Sequence, residues 1–155
     1  MSVLIEISRE AWADPDVPLP DYATAGAAGA DLRANLPVAD RVPGLLLKPS
    51  ARMLAPTGLR VAVPAGYEMQ LRPRSGLALR HGVGLPNSPG TIDSDYRGPL
   101  GVILVNLGQT AFRIRHGARI AQAVIAPVVA ARHVEVAALD ATARGYGGFG
   151  STGVG

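Results

Sequence analysis

The stretch Arg72-Pro-Arg-Ser-Gly-Leu-Ala-Leu-Arg80 sets a serine and a glycine behind a proline, with arginines on both sides. A short helical turn starting at Ser75 leaves N–H groups free at its N-terminus. Those donors, the Ser75 hydroxyl and the Arg74 guanidinium together suit a phosphate. The same residues also describe an ordinary turn capped by Ser75, with its arginines in solvent. A second stretch, Asn87-Ser-Pro-Gly-Thr-Ile-Asp-Ser-Asp-Tyr-Arg-Gly98, has a Pro-Gly turn and restarts a strand at Pro99. It reads as a hairpin or lobe carrying Asn87, Asp93, Asp95 and Tyr96. An asparagine amide both donates and accepts, as reading a pyrimidine edge requires, and a carboxylate such as Asp93 can deprotonate a water. Asp and Asn also simply favour turns.

Two further polar residues stand in apolar company. Asp31 follows the glycine-rich approach Ala25-Gly-Ala-Ala-Gly-Ala and can contact magnesium through water, or merely cap a turn. Gln122 sits mid-strand in Arg119-Ile-Ala-Gln, where a structural hydrogen bond is the default. The C-terminal stretch Arg144-Gly-Tyr-Gly-Gly-Phe-Gly-Ser-Thr-Gly153 threads five glycines with one arginine, one phenylalanine and a Ser-Thr pair. Its composition is that of a flexible tail. It also suits closure over an anion and a flat ring, through converging backbone N–H groups, Arg144 and Phe149. His81, His116 and His133 lack metal-ligand spacing and carboxylate neighbours in sequence, and read as surface or turn residues.

The elements that must position these residues are short strands. Nineteen glycines and thirteen prolines punctuate brief apolar runs along the 155 residues, the pattern of an all-β sandwich or barrel. Strands are predicted over 3–7, 45–47, 51–55, 59–63 and 67–72. Residues 100–107 are apolar on both faces and predict a fully buried strand. A hairpin around His116-Gly117 is predicted to join 112–115 to 119–128, and 134–136 gives a last strand. The one helix candidate is 75–80, with Ser75 as N-cap.

Composition narrows the function classes. The chain has no cysteine, which excludes disulfides, thiolate zinc sites and cysteine nucleophiles and suits the cytoplasm. A net charge of +3 and seven scattered aromatics argue against general nucleic-acid binding, while local arginine clusters suit a small anion. No apolar run long enough to span a membrane and no secretory leader is apparent. A charged fraction of only 17% points to surface covered by other subunits.

Taken together, five ordered segments resemble the trimeric dUTPase family. They are Ala28-Gly-Ala-Asp31-Leu, Pro73-Arg-Ser-Gly-Leu-Ala78, Gly90-Thr-Ile-Asp-Ser-Asp-Tyr-Arg-Gly98, Arg119-Ile-Ala-Gln122 and the glycine-rich tail. The resemblance implies an all-β, jelly-roll-like β-clip subunit with one short helix, spanning 1–143, and a flexible Gly-rich arm over 144–155. It implies a homotrimer whose active sites are each shared between subunits. The implied activity is Mg²⁺-assisted hydrolysis of dUTP to dUMP and pyrophosphate, which keeps dUTP low and supplies dUMP for thymidylate synthesis.

By motif match, Asp93 would activate the attacking water and Tyr96 would pack under the deoxyribose, excluding a 2′-hydroxyl. Asn87, with Thr91, Ile92 and Gly101, would read uracil. Arg74, Ser75, Gly76 and Gln122 would hold the α- and β-phosphates, and Asp31 would steady magnesium through water. Arg144 would reach the γ-phosphate, Phe149 would stack on uracil, and Gly150, Ser151 and Thr152 would wrap the phosphates. Pro99 and Ala118 depart from the acidic or polar residues usual at those places. A dCTP deaminase shares the fold but needs a glutamate base, and the nearest is Glu68. A non-catalytic nucleotide sensor on the same fold would not need Asp93.

Overall fold

The apolar runs of the sequence are short and closely punctuated. In the computed structural model, which describes residues 2–151, they form ten strands and two brief helices. In chain order these are β1 (Glu6–Arg9), β2 (Ala30–Arg33), α1 (Val38–Arg41), β3 (Leu45–Leu47), β4 (Arg52–Ala62) and β5 (Tyr67–Arg72). They continue with α2 (Ser75–His81), β6 (Val83–Gly84), β7 (Gly90–Ile92), β8 (Leu100–Asn106), β9 (Phe112–Ile114) and β10 (Arg119–Pro127). One sheet has the order β1-β4-β8-β6, the other β2-β10-β5-β7, and β3 pairs with β9 alone; all pairs are antiparallel. This is the expected all-β, jelly-roll-like arrangement, with two short helices where one was predicted.

The core is the seam between the sheets. From β8, Leu100, Val102 and Leu104 point inward and join Met69 and Leu71 of β5 and Ile120 and Ala123 of β10 in one buried cluster. Burying one such leucine contributes about 1.5–3 kcal/mol. Asn106, at the inner end of β8, is buried but satisfied. Its amide donates to Leu47 O (3.0 Å) and Thr110 O (2.8 Å), and its oxygen accepts from Gly108 N–H (2.9 Å).

Several sequence expectations change here. The first strand starts at Glu6, not at residue 3. The two strands expected over 51–55 and 59–63 are one strand, β4, continued across a register shift between Pro56 and Leu59. Thr57 bridges that irregularity, its hydroxyl donating to Leu100 O at 2.6 Å. β8 is not buried on both faces, since its residues alternate and Ile103 is 37% exposed on the outer side. The stretch around His116-Gly117 is not a hairpin, because β9 pairs with β3 whereas β10 pairs with β2 and β5. Residues 134–136 form no strand. Val134, Val136 and Leu139 lie exposed, with no neighbouring strand of their own chain to take up their backbone hydrogen bonds.

His116 is the histidine that the sequence undervalued. Leu36 N–H donates to its Nδ1 (3.0 Å), so the hydrogen sits on Nε2, which donates to Asp14 Oδ2 at 3.1 Å. Asp14 also faces Arg41 (3.2 Å), and its main chain is held on both sides by the Asn35 amide. The Asp16 backbone N–H, then the His116 ring and Arg41, hold the Asp14 carboxyl below the usual carboxylate range. This clasp pins the loop after β1 onto the turn that launches β10.

Candidate active site

The segment after β6 crosses from one sheet to the other, and that crossing makes the site. β7 pairs with the edge of β5, placing Thr91 opposite Gln70 and Ile92 opposite Met69. A turn closed by Tyr96 N–H to Asp93 O (3.2 Å) then leads the chain over to β8 in the other sheet. Asn87, Thr91, Ile92, Asp93, Tyr96 and Gly101 therefore line one cleft of about 260 Å³. Leu54, Leu71 and Ile103 give it an apolar wall. The absence of a side chain at Gly90 matters here. A Cβ would fall 3.1 Å from Asn87 Nδ2 and 3.2 Å from Leu71 Cβ, pushing the amide off its place.

The cleft offers an amide able to donate and accept, an aromatic ring and a carboxylate around an apolar pocket. Those are the groups that hold a flat, hydrogen-bonding ring joined to a sugar. The Tyr96 hydroxyl donates to Pro99 O at 3.0 Å, which turns the ring along the cleft. Asp93 also borders a wider groove of about 690 Å³ that runs past Tyr67 and Glu68 to Ala130. Glu68 lies in that groove and not in the Asn87 cleft, where it accepts from Gln70 Nε2 (2.7 Å).

A second group assembles around Asp31. β10 lies between β2 and β5, so Gln122 stands opposite Asp31 on one side and Arg72 on the other. Arg74 Nε approaches Asp31 Oδ1 (3.2 Å) and Arg119 Nη1 approaches Oδ2 (3.0 Å), with the carboxylate side chain only 12% exposed. Sequence reading gave Arg119 no role of its own, although it opens the Arg119-Ile-Ala-Gln122 segment. Ser75 is not the N-cap. Arg74 holds that position in extended conformation without a side-chain cap, and Ser75 and Gly76 form the first helical turn. Arg74 O accepts from Leu77 and Ala78 N–H instead.

The sequence-predicted residues thus fall into three places. Asn87, Thr91, Ile92, Asp93, Tyr96 and Gly101 share the cleft, while Asp31, Arg74 and Gln122 stand apart from it with Ser75 and Gly76 beside them. Among the described residues of the tail, 144–151, the hydrogen bonds are local and reach neither group. Arg144 Nε donates to Gly147 O (2.8 Å), Ser151 N–H to Gly148 O (3.0 Å), and Phe149 is fully exposed. Thr152 lies outside the described residues. Among the described residues, no three His, Asp or Glu side chains gather as a metal cage, and no helix is long and apolar enough to cross a membrane.

The family model for dUTPase matches residues 15–153. The chain belongs to the dUTPase family. It is similar to the deoxyuridine 5′-triphosphate nucleotidohydrolase of Dinoroseobacter shibae, 66% identical over 155 residues and covering 100% of both chains. The enzyme of the same description from Caulobacter vibrioides is 63% identical over 139 residues, 90% of this chain and 88% of its own. Among solved structures, the dUTPase of Staphylococcus bacteriophage 80alpha, a G164S mutant with dUpNHpp, superposes with a TM-score of 0.81 at 23% identity, over 97% of this chain and 99% of its own. That likeness establishes the shared fold of this dUTPase-family chain.

Proposed function

We infer that the protein hydrolyses dUTP to dUMP and pyrophosphate. The observation that carries this reading is the convergence of Asn87, Asp93 and Tyr96 on one small cleft in a chain of this family. Asn87 and the backbone of β7 pair with the uracil edge, and the Tyr96 ring lies against the deoxyribose where a 2′-hydroxyl would clash. Asp93, at the mouth of the cleft, holds and deprotonates the water that attacks the α-phosphorus in line. A positioned base of this kind contributes about 10²–10⁴ in rate. The Arg74, Ser75, Gly76 and Gln122 group binds the α- and β-phosphates, and the free N–H groups of the first α2 turn add donors.

The donor set at Asp31 fits magnesium held through water. One carboxylate engaged by two arginines cannot cage an ion directly, but each oxygen keeps a lone pair for a metal-bound water. When bound to the triphosphate, Mg²⁺ neutralises phosphate charge. Residues 144–155 act as an arm in which Arg144 meets the γ-phosphate, Phe149 covers uracil, and Gly150, Ser151 and Thr152 wrap the phosphates, while residues 1–143 form the β-domain.

A homotrimer with shared active sites accounts for the separation of the three groups within one chain. The exposed apolar Val129, Val134, Val136 and Leu139 support it, since they have no cover in their own subunit. Acting in the cytoplasm, such an enzyme keeps dUTP low and supplies dUMP for thymidylate synthesis. The test is incubation with dUTP or dCTP plus Mg²⁺, following pyrophosphate and ammonia. Pyrophosphate from dUTP without ammonia supports the reading. Ammonia from dCTP, or dUTP binding without turnover, overturns it.

A further inference from the structure

The loop that carries Asp93 and Tyr96 is exposed, yet it is tied by a side chain that touches no proposed substrate position. A single nitrogen of Arg97, Nη1, donates to Ser94 O at 2.7 Å and to Tyr96 O at 2.8 Å. With the Tyr96 N–H to Asp93 O bond, the backbone from 93 to 97 closes into a ring braced by one guanidinium. Beyond it, Gly98 lies against the hydroxyl end of the Tyr96 ring. A Cβ at that position would sit 2.6 Å from Cζ and 2.9 Å from Cε2, closer than real side chains come. The Tyr96 hydroxyl is fixed in turn by Pro99 O at 3.0 Å, and the ring of Pro99 fixes φ at the point where that carbonyl projects. The phenol is thus held at its backbone, beside its Cζ–Cε2 edge and at its hydroxyl.

We propose that Arg97 is a positioning residue for substrate selection: it sets the Tyr96 ring, and through it the exclusion of a 2′-hydroxyl. This rests on the dUTP reading of the cleft. An aromatic ring rejects an added hydroxyl only if it cannot retreat, and Tyr96, 41% exposed in an exposed loop, is not stopped by burial. The brace supplies that stop without burial. Because one nitrogen serves both carbonyls, a lysine ammonium, with three N–H donors on one atom, preserves the function that alanine removes.

The test compares the parent protein with Arg97→Ala, Arg97→Lys and Gly98→Ala in two measurements. The first is the ratio of kcat/KM for dUTP to that for UTP. Arg97→Ala and Gly98→Ala should each lower the ratio about tenfold or more, and Arg97→Lys should keep it within about threefold of the parent. The second needs no turnover: NMR of protein with 13C-labelled tyrosine rings and no nucleotide. The Tyr96 ring signals should move toward exposed, averaged positions in Arg97→Ala and stay in place in Arg97→Lys. An Arg97→Ala protein with parental discrimination and unmoved Tyr96 signals overturns the inference. If alanine at 97 does not fold, a lysine variant as poorly discriminating as Gly98→Ala overturns it equally. A parent inactive on dUTP refutes the function above, and the ring signals then decide the brace alone.

Discussion

Arg119 Nη1 stands 3.0 Å from Asp31 Oδ2, across the pairing of β10 with β2. Arg74 takes the other oxygen, so two strands and the start of α2 meet on one carboxylate. The pair with Arg119 is nearly half exposed on the arginine side, and its worth to stability is small, at most about 1 kcal/mol. Its value is placement. Asp31 holds the Arg74 and Arg119 guanidinium groups on one carboxylate.

Asp31→Asn should therefore fold normally but lose activity by about 10–100-fold, the usual cost of removing a residue that acts on a metal through its water. The concentration of Mg²⁺ needed for half-maximal rate should rise in parallel. Steady-state rates across a Mg²⁺ titration check both, and an unchanged Mg²⁺ dependence removes Asp31 from that role.

Asp93→Asn retains the size and shape of the side chain and removes its basicity. Binding of a non-hydrolysable dUTP analogue should change little, whereas kcat should fall by about 10²–10⁴. Calorimetry and single-turnover kinetics separate these two effects.

Deleting residues from Arg144 onward should leave a folded assembly, because the described part of the tail, 144–151, makes only local hydrogen bonds and lies largely exposed. Activity should fall by about 10³ or more, the scale set by an arginine that stabilises charge in phosphoryl transfer. If sites are shared between subunits, the tail-deleted chain refolded together with Asp93→Asn should regain a measurable fraction of activity that neither shows alone. Absence of any recovery in mixed assemblies argues that each chain completes its own site.

Acid stability should report on the clasp at His116. The Asp14 carboxyl is held below its ordinary value, so its contribution is present above about pH 4 and is lost as pH falls through the lowered folded value. Asp14→Asn should lower stability at neutral pH and flatten the acid limb of a denaturation series. An acid limb identical to the parent's removes Asp14 from that role.

Much of this was legible in the residues. β5, β3 and the short helix α2 stood out because their apolar runs are bounded by glycine or proline. The six expected cleft residues, Asn87 to Gly101, lay within one fifteen-residue stretch, whereas the apolar wall of Leu54, Leu71 and Ile103 lay outside it. Pairing was not legible. β9 and β10 follow one another in sequence yet join different sheets, and nothing local to His116-Gly117 announces that. The continuity of β4 depends on Thr57 meeting Leu100, a contact 43 residues distant. His116 looked idle because its partners, Asp14 and Leu36, come from far up the chain. Arg97 was hidden for the opposite reason, since a side chain that binds its own loop leaves no pattern in composition.

The central claim is attack by water on the α-phosphorus of dUTP, and hydrolysis in H218O tests it most directly. The account predicts dUMP carrying one 18O in its phosphate and pyrophosphate carrying none. Label in the pyrophosphate, or dUTP left intact, would contradict it.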